Sequence, residues 1–197
     1  MKVRVAVTGG IGSGKSTALA ILQGFGYSVF SCDEIYKNLI KSEEYVALIR
    51  QRFGCVKDGK IELDKLSALV FADPEKREQL NALAHPLIMK ELLSLMDSAP
   101  TDVVFAEVPL LLEGGFEGLF DKVLVILREK QTRVASVVRR DALSEEQILA
   151  RINSQIDYDC DTTKNALDRI GAYVIENDAD VTSLRNKLEI FLKNIQS

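Results

Sequence analysis

The sequence predicts a doubly wound α/β domain built on a parallel sheet, and three observations carry that reading. Short apolar runs recur at residues 3–7, 27–30, 103–106, 123–127 and 173–175. Segments of helical period lie between them, at 16–23, 75–96, 131–139, 145–156 and 181–195. The first run opens directly into the glycine-rich stretch TGGIGSGKST, Thr8 to Thr17. Strands alternating with helices indicate βαβ units and hence a parallel sheet with helices on its faces.

Taken in order, residues 3–7 alternate and then run apolar, as a strand buried on both faces does. The stretch that follows holds four glycines in ten residues. As a helix interior it would be poor, since each Gly is less favourable than Ala by about 0.8–1.0 kcal/mol. The helix of 16–23 and the strand of 27–30 complete a first unit. About seventy residues then separate the second strand from the third, where one crossover helix needs far fewer. Their composition is helical with a turn at KDGK, Lys57 to Lys60, which marks a helical insertion placed to hold substrate. A second, charged insertion over 133–164 reads as a lid. The core is expected over about 1–33, 100–132 and 166–197, the insertion over about 34–99 and the lid over about 133–165.

Composition narrows the partners. A chain of 197 residues, 47% apolar and 27% charged, suits one core domain with insertions. A net charge of −4 and a pI near 5.2 remove the broad attraction that a nucleic-acid binder uses. Cys32, Cys55 and Cys160 are odd in number and far apart, with neither zinc spacing nor a disulfide framework, which fits a reducing cytoplasm. The N-terminal apolar run is too short for a signal peptide, and no stretch approaches the ~20 apolar residues of a membrane span. A soluble, cytoplasmic protein is expected, with no membrane and no nucleic acid among its partners, as a monomer or weak homo-oligomer.

Gly9 to Ser16 satisfies G-x-x-x-x-G-K-[ST] between a strand and a helix, the context in which this pattern is a phosphate-binding P-loop. Glycine lets the backbone take positive φ and lets phosphate approach without interference from a Cβ. The N–H groups of Gly10, Ile11, Gly12, Ser13 and Gly14, with the positive end of the next helix, make an anion site. Lys15 is expected to reach the β- and γ-phosphates of a nucleotide, Ser16 to ligate Mg²⁺, and Thr17 to contact the α-phosphate; the loop by itself does not separate kinase, GTPase and motor. The fold expected is therefore that of the three-layer P-loop NTPases, with a five-stranded parallel sheet.

Acids follow the next strands. Asp33 falls where the second strand ends, and ligands gather at the carboxyl ends of strands in open parallel sheets. Two readings stand: a carboxylate that takes a hydroxyl proton or helps to hold Mg²⁺, or an N-cap for a helix beginning near Glu34. Glu107 ends the third strand, where a metal-associated acid is common in P-loop enzymes, and Glu113 lies in the loop beyond it. His85, the only histidine, precedes Pro86, and a lone histidine is more often structural than catalytic. Arg133, Arg139, Arg140, Arg151 and Lys164 supply the cation set of the expected lid, where an arginine closes over transferring phosphoryl oxygens.

Over nearly its whole length the chain resembles the dephospho-CoA kinase family. The resemblance rests on TGGIGSGKST, on Asp33 at the family's spacing, on DGKIELDKLSALVFADPEKREQLNALAHPLI, on EVPLLLE, and on RDALSEEQILARINSQ. It implies transfer of the γ-phosphate of ATP to the ribose 3′-hydroxyl of dephospho-CoA, with Asp33 as general base and Lys15 and Arg140 stabilising the transferring group. It further implies that the insertion with His85, and Leu110 and Glu113 of the PLLLE loop, bind the acceptor, that residues 140–155 cover ATP, and that Asn177 lies near adenine. Where the family has an arginine four residues before Arg140 this chain has Ser136, which leaves Arg133 and Arg139 as substitutes. Its usual D-A-D after the second strand is Ser31, Cys32 and Asp33 here, and Glu107 stands for an Asp.

Two other readings compete. A P-loop kinase for a nucleoside or nucleotide monophosphate would share Lys15, Asp33 and the lid arginines, but not the LNALAHP insertion. A GTP-dependent switch needs N-K-x-D; the nearest match, NKLE at 186–189, lacks the aspartate, and the D-x-x-G at 168–171 comes too late in the chain.

Overall fold

The computed structural model describes residues 2–141, 145–153 and 155–196, without the side chains of 139–141, 145, 150, 151 and 196. By contact the chain divides into two compact units, one running to Phe30 and resuming at Met96, the other Ser31–Leu95.

The first unit carries a five-stranded parallel sheet in the order β2-β5-β1-β6-β7. Its strands are β1 (Val3–Thr8), β2 (Ser28–Ser31), β5 (Val103–Glu107), β6 (Lys122–Leu127) and β7 (Tyr173–Glu176), and β3 and β4 form the hairpin described below. β1 lies at the centre, parallel to β5 through Val7↔Glu107 and to β6 through Thr8↔Val125. Chain order reverses beside β1, so its carboxyl end opens at a topological switch point. There stand the loop after Thr8 and, one strand over, Glu107.

Alternation decides which side chains make the core. Val5 and Val7, Val103 and Phe105, and Leu124 and Ile126 share one face and pack with Ala18, Leu19 and Leu22 of α1 (Lys15–Gly24). Leu184, Leu188, Phe191 and Leu192 of α9 (Val181–Gln196) join them at helical spacing. Phe105 is fully buried and meets Tyr27 edge to face at 5.4 Å.

A smaller core joins α6 (Lys130–Asp141) to α7 (Glu145–Asn153). Val134, Val137, Ile148 and Ile152 are buried there, with Leu149 and Ile11 packed against them. Where a helix is expected over 145–156, α7 is described to Asn153 and residues 155–160 are irregular; α8 (Asp161–Arg169), which was not foreseen, follows. The sequence DTTKNALDR hides that helix because Thr163 fills a buried position where an apolar residue would have signalled it. Among the described residues no helix is long and apolar enough to cross a membrane.

The second unit is helical. It contains α2 (Cys32–Leu39), α3 (Glu43–Phe53), α4 (Leu63–Ala72) and most of α5 (Pro74–Ser98). Ser42 caps α3 through its Oγ, which accepts from Tyr45 N–H at 3.3 Å, and Gly54 ends that helix at φ 65°. KDGK forms the expected turn between β3 (Val56–Lys57) and β4 (Lys60–Ile61), with Asp58 and Gly59 both at positive φ. Asp73 caps α5 by accepting from Glu75 and Lys76 N–H, ahead of Pro74 in the first turn, where its missing N–H is harmless. Phe105→Ala is expected to lower the unfolding free energy by about 3–5 kcal/mol. Urea denaturation with an unchanged slope would bear this out, and a loss below about 1 kcal/mol would contradict the packing described.

Candidate active site

The loop after β1 is shaped by what surrounds it. A Cβ on Gly9, at φ 139°, would strike the carbonyl oxygen of Ile126 in β6. On Gly10 it would strike Nη1 of Arg133, and on Gly12, at φ 77°, it would lie 2.8 Å from both Arg133 O and a Val137 methyl in α6. On Gly14, at φ 101°, it would strike Nδ2 of Asn177. Each glycine therefore answers to a different neighbour, and three of the four also need a backbone that other residues avoid.

Within the loop the Lys15 ammonium donates to Gly9 O at 2.9 Å and Gly10 O at 3.2 Å, and Glu107 Oε1 stands 4.0 Å away. Lys15 is only 7% exposed, so a buried cation is balanced by two carbonyls and one carboxylate. Ser13 Oγ is buried without a partner among the described residues. Ser16 and Thr17 follow at the start of α1, both exposed.

The first half of the loop is tied to α6, α7 and the segment after them. Ile11 N–H donates to Gln155 Oε1 at 2.8 Å, while its side chain joins the core of α6 and α7. Thr8 Oγ1 meets the Tyr158 hydroxyl at 3.1 Å in a buried contact. Burial pushes the Tyr158 phenol above the usual tyrosine range, against the hydrogen bond it shares with Thr8. Arg133 Nε is buried with no partner among the described residues.

The second half is braced from the end of β7. Asn177 Nδ2 donates to Ser13 O at 2.8 Å, and Asn177 N–H donates to Leu127 O at 2.7 Å. Lys187 of α9 spans the same turn, donating to Glu176 O at 2.6 Å and Asp178 Oδ1 at 2.7 Å. Glu176, Asn177 and Asp178 also line a cavity of about 1150 Å³, together with Arg128 after β6, Val134 and Val138 of α6 and Leu149 of α7. Arg128 Nη1 donates to Ser136 Oγ at 3.1 Å, so an arginine does approach that serine.

The remaining candidates lie as follows. Leu110 is exposed in the turn after β5, next to the fully buried Leu111. Glu113 accepts from Ile156 N–H at 3.1 Å, which joins that turn to the segment after α7. Arg140 is in the last turn of α6, but its side chain, like those of Arg139 and Arg151, lies outside the described residues. In the second unit, Asp33 is exposed in the first turn of α2. The cap position belongs to Ser31, in extended conformation, so the helix begins earlier than expected and Asp33 is not its N-cap. His85 is half-buried in α5, and burial lowers its pKa from the ordinary 6.5. Tyr158, Lys187 and Arg128 were missed: an aromatic ring within the charged run DYDCD was the one available signal for Tyr158.

A family profile described as dephospho-CoA kinase matches residues 3–183. The chain belongs to the dephospho-CoA kinase family. A dephospho-CoA kinase of Thermus thermophilus is 33% identical over 97% of this chain and 91% of the relative. One of Dehalococcoides mccartyi is 33% identical over 98% and 97%. A crystal structure from Thermus thermophilus is similar at a TM-score of 0.83 and 31% identity, covering 98% of this chain and 97% of the other. A shikimate kinase of Acinetobacter baumannii, at 17% identity and a TM-score of 0.55 over 98% and 95%, shares the fold. The family is one of ATP-dependent kinases, and these matches do not favour a kinase for nucleosides or nucleotide monophosphates.

Two outcomes check the site's construction. Gly9→Ala is expected to cost about 2 kcal/mol or more, because neither a strand carbonyl nor a positive φ yields. Gly10→Ala meets a movable guanidinium and is expected to stay within about 0.5 kcal/mol; equal losses in urea titrations would contradict the difference. Lys187 also holds the Asp178 carboxyl below its ordinary 3.8. The stabilisation is present above pH 3.8 and fades as pH falls through the lowered value, and Lys187→Met should return the Asp178 pKa upward in a carboxyl NMR titration.

Proposed function

We propose that this protein transfers the γ-phosphate of ATP to the ribose 3′-hydroxyl of dephospho-CoA, giving CoA and ADP. The observation that carries the reading is the Lys15 ammonium, held by Gly9 O and Gly10 O at 2.9 and 3.2 Å beside Glu107, in a chain of the dephospho-CoA kinase family. Loop N–H groups from Gly10 to Ser16 and the start of α1 bind the phosphates, with Thr17 at the α-phosphate. The cavity at Asn177 takes the nucleoside.

Asp33 stands two residues beyond β2 and acts as general base. Its carboxylate takes the 3′-hydroxyl proton as that oxygen bonds to the γ-phosphorus, and the bond from phosphorus to the β-bridging oxygen breaks to release ADP. Lys15 and Arg140 offset the charge spread over the transferring oxygens. His85, Leu110 and Glu113 belong to acceptor binding, with Leu110 offering an exposed apolar contact.

Ser16 and Glu107 supply hard oxygen donors that suit Mg²⁺. An ion held by these two residues would complete its shell with phosphate oxygens and water. Bound there, it would neutralise phosphate charge. The acidic chain works in the cytoplasm on small molecules, without nucleic acid, as a monomer or weak homo-oligomer.

With Mg·ATP and a panel of nucleosides, nucleotides and pantetheine derivatives, ADP release is expected strongly only with dephospho-CoA. Equal turnover with a nucleoside would sink the assignment. Asp33→Asn is expected to lose at least ~10²-fold in kcat while still binding ATP.

A further inference from the structure

We infer that Tyr158 is a positioning residue for the nucleotide: by holding Thr8 it sets the start of the phosphate loop and, through the Gly9 carbonyl, the Lys15 ammonium. The inference rests on the reading that nucleotide occupies this loop.

Three consecutive tethers leave the segment after α7. Gln155 Oε1 accepts from Ile11 N–H at 2.8 Å, Ile156 N–H donates to Glu113 Oε1 at 3.1 Å, and the Tyr158 hydroxyl lies 3.1 Å from Thr8 Oγ1. Tyr158 is 5% exposed and Thr8 is fully buried, so neither hydroxyl has water as a ready substitute. The two tethers on the loop fall at Thr8 and Ile11, on either side of Gly9 and Gly10. A glycine pair has more backbone freedom than any other, and fixing its flanks removes entropy that phosphate binding would otherwise have to remove.

The carbonyls between those tethers are the ones that hold Lys15, at 2.9 Å from Gly9 and 3.2 Å from Gly10. Tyr158 touches no reacting atom in this scheme. It acts through Thr8 and Gly9 on the side chain that meets the phosphates. Because its partners lie on the phosphate side of the site, the effect should follow the phosphates of the ligand and not its base.

Tyr158→Phe keeps the ring and removes the hydroxyl. The binding of inorganic pyrophosphate and the KM for ATP are expected to weaken about threefold to tenfold, while adenosine binding and the KM for the acceptor stay within about twofold. Thr8→Val removes the same bond from the other side, so the double variant should bind pyrophosphate no more weakly than the weaker single variant. Unchanged pyrophosphate binding in both single variants, equal weakening of pyrophosphate and adenosine, or additive losses in the double variant would each overturn the role. Lys15→Ala separates the two levels of the argument. If the parent protein binds pyrophosphate no better than Lys15→Ala does, the nucleotide reading itself fails; if Lys15→Ala loses binding and Tyr158→Phe does not, only the positioning role fails.

Discussion

The absence of room for a Cβ along the phosphate loop is the constraint on which the site depends. Gly9 lies against the Ile126 carbonyl, Gly12 against the backbone of Arg133, and Gly14 against the Asn177 amide. These contacts draw the loop into a narrow space bounded by β6, α6 and the turn after β7. Only in that space do the carbonyls of Gly9 and Gly10 converge on one ammonium. A buried lysine is costly to desolvate, and the loop meets that cost with its own oxygens and with Glu107.

The loop therefore has two halves with separate supports. Thr8 to Gly12 are held by α6, α7 and the segment after them, through Tyr158, Gln155, Arg133 and the packing of Ile11. Ser13 and Gly14 are held by Asn177, whose turn is in turn spanned by Lys187. α6 and α7 are thus packed on the phosphate loop by a small apolar core, and the hydrogen bonds to the loop come from Gln155 and Tyr158 beyond α7. A charge on α6 next to Gly10 and a cavity beside the same helix follow from one packing arrangement.

Much of this was legible in the sequence, for local reasons. All five sheet strands fall within a residue or two of the apolar runs. In β1, β5 and β6 that is because a strand buried on both faces has few polar positions to blur its limits, while the less buried edge strands β2 and β7 are marked by short β-branched and aromatic runs. The turn at Asp58 and Gly59 follows from dihedral preference alone. The phosphate loop was legible because strand, glycines and helix are contiguous. The cap reading of Asp33 failed because the helix already begins at Cys32, with Ser31 at the cap position accepting no side-chain hydrogen bond, so capping preference did not set this start. α8 was hidden by its polarity, and Tyr158 by its distance of 150 positions from Thr8.

By itself the sequence determined the parallel sheet, the phosphate loop at its centre and the family, since each is written in contiguous residues whose type and spacing have one good physical solution. Tertiary structure alone decided which neighbour each loop glycine serves, which side chains hold Thr8, Ile11 and Ser13, and how Lys15 is balanced. Those contacts join residues far apart in the chain. Their partners are ordinary polar and aromatic residues, and nothing in such a residue marks its use until the fold brings its partner within hydrogen-bonding distance.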